Sequence, residues 1–257
     1  MSNPKEGIGS MLFSKSWIDQ HMEELIPWQQ SAYRQFSAMM SDEEHPFPCL
    51  PGKQGFQSDT LRFGFTEDPR SGEASGELAS YLKQYGEISR DTGNYASLVV
   101  FCHSDKTGED LSVETYEHVF WDLLNRVHQL DDKPWPDHIG KDPHDHTWEF
   151  CFDGEPYFAF CATSAHNGRK SRHFPYFLLA FQPRWVFNEI NSSTAFGQKL
   201  KKVIRKRLVD YDEAPPHQSL KWYGQEDNFE WQQYYLRDDD SSVSKCPFSH
   251  MHKKIKS

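Results

Sequence analysis

The stretch FCATSAHNGRKSRHF, residues 160–174, passes from an apolar run through one imidazole, His166, into Arg169, Lys170, Arg172 and His173. An imidazole that directly follows a strand, with arginines three and six residues on, has the parts of a metal ligand flanked by anion-pairing guanidinium groups. If residues 167–173 close a helical turn, the two arginines share a face. Haem would suit such a set, because its iron takes an axial histidine and its propionates need cations. The competing reading is a basic loop that pairs with surface carboxylates, the commoner fate of a charge run.

A second constellation is PWPDHIGKDPHDHTWEF, residues 134–150, with His138, His144 and His146 among Asp137, Asp142 and Asp145. His-x-His on a strand would put two imidazoles on one face and make a zinc or non-haem iron site conceivable. Pro136, Gly140 and Pro143 instead point to a loop, where such residues usually form turns and surface pairs. Cys49 could imitate a thiol nucleophile, but no position in the sequence fixes a partner base. Nucleophile elbow, phosphate-binding glycine loop and dinucleotide fingerprint are all missing from the sequence.

These groups need elements to hold them. Residues 14–41 carry apolar positions at helical spacing, with Pro27 breaking or restarting the helix. HPFPCLPGKQGFQSDTLRFGF, residues 45–65, is dense in proline and glycine and predicts a long structured loop through Phe47 and Cys49. Residues 76–90 predict a helix and 95–103 a strand; Ser112 is placed to N-cap a helix ending near Asp131. WEFCFDGEPYFAFCAT predicts a hairpin, strands 148–152 and 156–163 about a turn at Asp153 and Gly154, with a further strand from about 177. Residues 192–210 predict a basic amphipathic helix, with Lys199, Lys201, Lys202, Arg205, Lys206 and Arg207 opposite Phe196, Leu200, Val203, Ile204 and Leu208. Its cations read first as a solvated face. The order predicts one α+β domain over residues 1–257, with a mainly antiparallel sheet covered by helices.

A net charge of −10 over 257 residues argues against nucleic acid or an anionic membrane as a partner. A small anionic ligand remains compatible. No apolar stretch reaches the roughly 20 residues that span a bilayer, so a cytoplasmic chain is expected. Five cysteines without metal-finger spacing read as reduced thiols. Aromatic residues make up 15% of the chain and cluster in WEFCF, YFAF, FPYF and WQQYY, which suits a core or the wall of a pocket for a flat ligand.

FPC at 47–49 (Phe47, Pro48, Cys49), the block running from DHIGKDP through WEFCFDGEPYF and AHNGRKSR to FQPRWVF, and CPF at 246–248 (Cys246, Pro247, Phe248) together resemble the YqcI/YcgG family. The resemblance runs from residue 47 to residue 248. It implies haem b and a branch of N-hydroxylases that use O2 and an external electron donor to oxidise a nitrogen of an arginine-like guanidine or amine. By the same resemblance His166 would ligate the iron, and Arg169 and Arg172 would meet the propionates. That branch is expected to carry a proline after the histidine, where this chain has Asn167. Asp142, Glu149 and Glu155 are the acids close enough in sequence to receive a cationic substrate. A haem- or small-ligand-binding protein without turnover, and a non-haem metalloenzyme, are the alternatives. A homodimer is compatible with the sequence, as is an approach of Cys49 to Cys246.

Overall fold

The computed structural model describes residues 11–103, 111–189, 195–221 and 226–248. A short strand β1 (Phe13–Ser14) leads into α1 (Lys15–Gln20), whose first turn is capped by the Ser14 hydroxyl accepting from Trp17 N. After a single 3₁₀ turn, Pro27 opens α2 (Pro27–Ser41), where its missing N–H costs nothing.

The expected long loop proves to be an element pair, α3 (Leu50–Gln57) followed by strand β2 (Leu61–Thr66). Pro51 sits in the first turn of α3, where proline is tolerated, and Cys49 caps that turn by accepting from Gly52 N at 3.4 Å. LRFGFT alternates in the manner of a strand, a pattern masked by the turn formers before it. Gly64 lies under the ring of Tyr81, which a Cβ would meet at 2.9 Å.

Helix α4 (Gly72–Thr92), capped by Ser71, crosses over to β3 (Ser97–Cys102), and Ser112 caps α5 (Val113–Gln129) as expected. Strands β4 (Phe150–Phe152) and β5 (Glu155–Ala162) form the anticipated hairpin. Its two-residue turn has positive φ at both Asp153 (52°) and Gly154 (81°), the combination that matches strand twist. β6 (Phe177–Pro183), α6 (Arg184–Glu189), α7 (Ala195–Asp212) and α8 (Trp231–Tyr234) complete the chain. Residues 192–194 and the Phe196 side chain lie outside what the structure describes.

The six strands form one sheet in the order β1-β2-β3-β6-β5-β4, antiparallel throughout except for the β2–β3 pair joined by α4. The fold is the α+β class expected. Alternation divides the residues of β3 between two cores: Leu98, Val100 and Cys102 pack with Leu82 and Phe120, while Val99 and Phe101 pack with Phe36, Phe56 and Phe63. Each fully buried Leu or Phe adds about 1.5–3 kcal/mol.

The two cysteine motifs fall on opposite faces. Phe248 packs against Trp148 and Phe150 in the first core, with Cys246 beside it. Phe47 packs against the second core and stacks edge-on with Tyr211. The sheet therefore separates Cys49 from Cys246, and both are free thiols.

Candidate functional site

Residues 163–174 leave β5 and return to β6 as a closed loop. Thr163 N donates to Arg172 O at 3.0 Å and Phe174 N donates to Thr163 O at 3.1 Å, so the loop is pinned at its base. A 3₁₀ turn, Lys170–Arg172, takes the place of the expected helical turn.

Within this loop His166 is 1% exposed, and both ring nitrogens are used by the protein. Nε2 donates to the carbonyl of Leu236 at 2.9 Å, which leaves Nδ1 to accept from the Thr163 hydroxyl, also at 2.9 Å. Burial holds the imidazole below its ordinary 6.5, so the ring is neutral. A histidine arranged in this way has no lone pair to give a metal, and it does not fit the role of axial ligand.

The arginines are similarly engaged. Arg169 donates from Nε to Arg237 O (2.9 Å) and from Nη1 to Pro215 O (3.1 Å), and meets Asp240 at 3.2 Å. Arg172 donates to the carbonyls of Tyr234 and Gln233, both at 2.8 Å, and of Cys161 at 3.3 Å. Its guanidinium lies 4.2 Å over the ring of Phe160. Asn167 N and Arg169 N donate to the two oxygens of Asp238. The loop is thus a latch on residues 233–240. Asn167 is part of it through its backbone N–H, a donor that proline lacks.

Beside the latch lies the feature that sequence reading located only in part. A cavity of about 320 Å³ opens between the second sheet face and a cover made by α2, the FPC segment and α7. Phe158, Phe160, Ala162, Leu178 and Ala180 form its floor; Met39, Met40, Phe47, Cys49, Ile204 and Leu208 form its cover. The lining is overwhelmingly apolar, and its cations are Arg169 and Arg172, 4% and 5% exposed. Arg172 donates its hydrogen bonds to carbonyls and has the Asp212 carboxylate as an electrostatic neighbour, and burial brings its pKa down to about 10. Asp212 is the carboxylate among the described lining residues, held by the N–H and hydroxyl of Ser171 at 2.7 and 3.0 Å. Of the basic helix's expected apolar face, Ile204 and Leu208 line the cavity whereas Val203 is exposed.

The acids proposed for substrate stand elsewhere. Glu149 is buried in an ion pair with Arg184 at 3.0 Å, Glu155 meets Arg90 at 3.2 Å, and Asp142 is exposed beside His144. None of the three lines the cavity. His138, His144 and His146 occupy a loop, His144 and His146 each against an aspartate, and no three metal-ligating side chains converge among the described residues. The region therefore does not assemble the non-haem site that its composition suggested.

Alternate positions of YFAF, Phe158 and Phe160, face the cavity, so aromatic clustering was a usable signal. Ala162, Ala180 and Asp212 carried none, because their role depends on which strands become neighbours.

An α+β chain with a half-open apolar chamber, walled by one sheet face and edged by two buried arginines, is the class that fold and site define. The chain belongs to the YqcI/YcgG family, whose family model matches residues 36–249. It is 51% identical to each of two Bacillus subtilis proteins, named uncharacterized YcgG and YqcI, over 93% of this chain and 95% of each relative. It is also 32% identical to the putative N(omega)-hydroxy-L-arginine synthase DcsA of Streptomyces lavendulae, over 88% of this chain and 86% of that one. No solved structure matches the chain.

Proposed function

We propose that the chain is an oxidoreductase that hydroxylates a nitrogen of an arginine-like guanidine or amine, using O2, electrons from an external donor, and haem b seated in the apolar chamber. The observation that carries this reading is the chamber: an aromatic-walled space of about 320 Å³ with buried cations at its edge. The likeness to a putative N(omega)-hydroxy-L-arginine synthase supports the choice of substrate class. The proposed setting is cytoplasmic, in keeping with free thiols at all five cysteines. No helix among the described residues is long and apolar enough to cross a membrane.

A flat, largely apolar group bearing carboxylates fits the donor set, because Arg172 is a buried cation that donates its hydrogen bonds to neutral carbonyls. Haem, when bound, would supply a redox-active iron at which O2 is activated. The remaining work falls to the chain. Phe158, Phe160 and Leu178 exclude water from the reacting nitrogen, and Arg169 and Arg172 keep positive charge at the wall. Asp212 is the wall carboxylate available to orient a cationic substrate, in place of Asp142, Glu149 and Glu155.

Titration of purified protein with haemin tests the cofactor: a saturable Soret band supports the reading, and protein that stays colourless sinks it. Single turnover with arginine and related amines, under O2 and reductant, then separates an N-hydroxylase from a binding protein. The latter would return every substrate unchanged.

A further inference from the structure

We infer that the outer face of α7 is the docking surface for the electron donor, an acidic one-electron carrier protein, an assignment that rests on the haem reading above and deepens it. The chain is acidic overall, with a net charge of −10, yet α7 reads AFGQKLKKVIRKRLVDYD, in which Asp210 and Asp212 are the only acids. At about 100° of turn per residue, Lys199, Lys202, Val203 and Lys206 fall on one side of the helix and Ile204 and Leu208 on the other. The structure bears out that division: Ile204 and Leu208 line the chamber, whereas Lys199, Lys202 and Lys206 are exposed. Asp212 is buried on Ser171 and does not neutralise the outer row, which leaves Asp210 as the exposed acid at its C-terminal end.

Three observations set this face apart from an ordinary solvated one. Among the described residues Lys199, Lys202 and Lys206 have no ion pair, while Lys15, Lys133, Lys170 and Lys221 each meet a carboxylate. Val203 and Val209, 37% and 39% exposed, stand beside the lysines and give the face the mixed apolar and cationic character of an interface. Finally, α7 alone separates this face from the chamber, so a carrier seated on it would stand about one helix diameter, 10–12 Å, from the space beneath. The 18-residue helix is about 27 Å long, which suits the small, charge-steered interfaces of electron-transfer encounters. A membrane or nucleic acid would extend beyond it and meet the acidic remainder of the chain. Each encounter would pass one electron from the reduced carrier to ferric haem in the chamber, which becomes ferrous as the carrier is oxidised, with no bond made or broken.

The test uses a plant-type two-iron ferredoxin, an acidic one-electron carrier. Calorimetric titration of the chain should show binding that weakens at least about tenfold as ionic strength rises from about 0.01 to about 0.15 M and the Debye length shortens from about 30 to about 8 Å. The triple variant Lys199→Glu, Lys202→Glu, Lys206→Glu should lose the binding. Lys202→Glu alone should weaken it, and Lys83→Glu, an equal change of charge on α4 across the sheet, should not. In haemin-loaded protein the triple variant should slow reduction by ferredoxin at least about tenfold, with the Soret band and reduction by dithionite as in wild type. Ferredoxin binding and reduction that the triple variant leaves unchanged would overturn the assignment with haem binding intact. So would a chain that ignores ferredoxin but uses these lysines to bind phosphatidylserine vesicles, or to self-associate in sedimentation. Protein that takes up no haemin overturns the parent reading and removes the donor's role, whatever ferredoxin does at α7.

Discussion

The ring of His166 and the carbonyl of Leu236, 70 residues apart in sequence, are joined by a 2.9 Å N–H···O=C bond inside the protein. The bond makes the histidine a structural tether between the β5–β6 loop and the C-terminal segment. His166→Ala would leave the Leu236 carbonyl and the Thr163 hydroxyl buried without their partner, at a cost of about 1–3 kcal/mol each. Urea unfolding should show the loss, and hydrogen exchange should show weaker protection around 233–240. Because burial depresses the imidazole below 6.5, the folded chain resists protonation that the unfolded chain accepts. The contribution is present above about 6.5 and fades as pH falls. His166→Gln should flatten that acid limb; a limb of unchanged slope would show that the histidine is not its source.

Arg172 is the other anchor of the same latch. Arg172→Lys keeps the charge but offers a single ammonium where a planar fork reached the carbonyls of Tyr234, Gln233 and Cys161 and covered Phe160. A destabilisation of about 2–4 kcal/mol is expected from bonds of this charge-assisted kind. A urea midpoint equal to that of wild type would count against the latch.

How much of this was legible in advance follows from how local each signal is. The Asp153-Gly154 hairpin and the Ser112-capped helix were readable because turn chemistry and capping act over a few residues. Strand β2 was hidden because the prolines of HPFPCLP dominated their neighbourhood, although Pro51 merely opens α3. His166, Arg169 and Arg172 stood out in the sequence by residue type, but their surroundings were not foreseeable. Their partners, Leu236, Pro215, Tyr234 and Gln233, lie 46 to 70 residues away and are main-chain carbonyls, which leave no trace in residue type. The chamber was half legible, through its aromatic strand and FPC segment, but the small residues that open it, Ala162 and Ala180, look like any others.

Glu230 supplies a second pH dependence, of opposite sign. Burial first, then the neighbouring Glu149, raises its pKa to about 8 against the pull of Lys201 and Arg184. The folded chain thus holds a proton that the unfolded chain gives up between about 4.5 and about 8. Stability is fully present below that window and falls as pH rises through it, by at most about 1.4 kcal/mol per pH unit. Glu230→Gln keeps the shape and the Asn228 contact without the charge. Its unfolding free energy should lose this slope and exceed wild type at pH 8; parallel profiles for the two proteins would refute the assignment.

The chamber itself can be filled. Ala162 and Ala180 face it from β5 and β6, and Ala180 pairs with Phe160 across those strands. A phenylalanine at either position would occupy space that is already open, so it should not force the core apart as it would in a packed interior. Cavity filling of this kind is expected to hold stability or raise it by about 0.5–2 kcal/mol. Haemin uptake should fall at least about tenfold, since a ring in the chamber removes contact surface and blocks entry. The two readouts separate the possible failures. Unfolded Ala162→Phe and Ala180→Phe variants would mean that the space is not free, whereas stable variants that bind haemin as wild type does would place the cofactor outside the chamber and remove the basis for the proposed function.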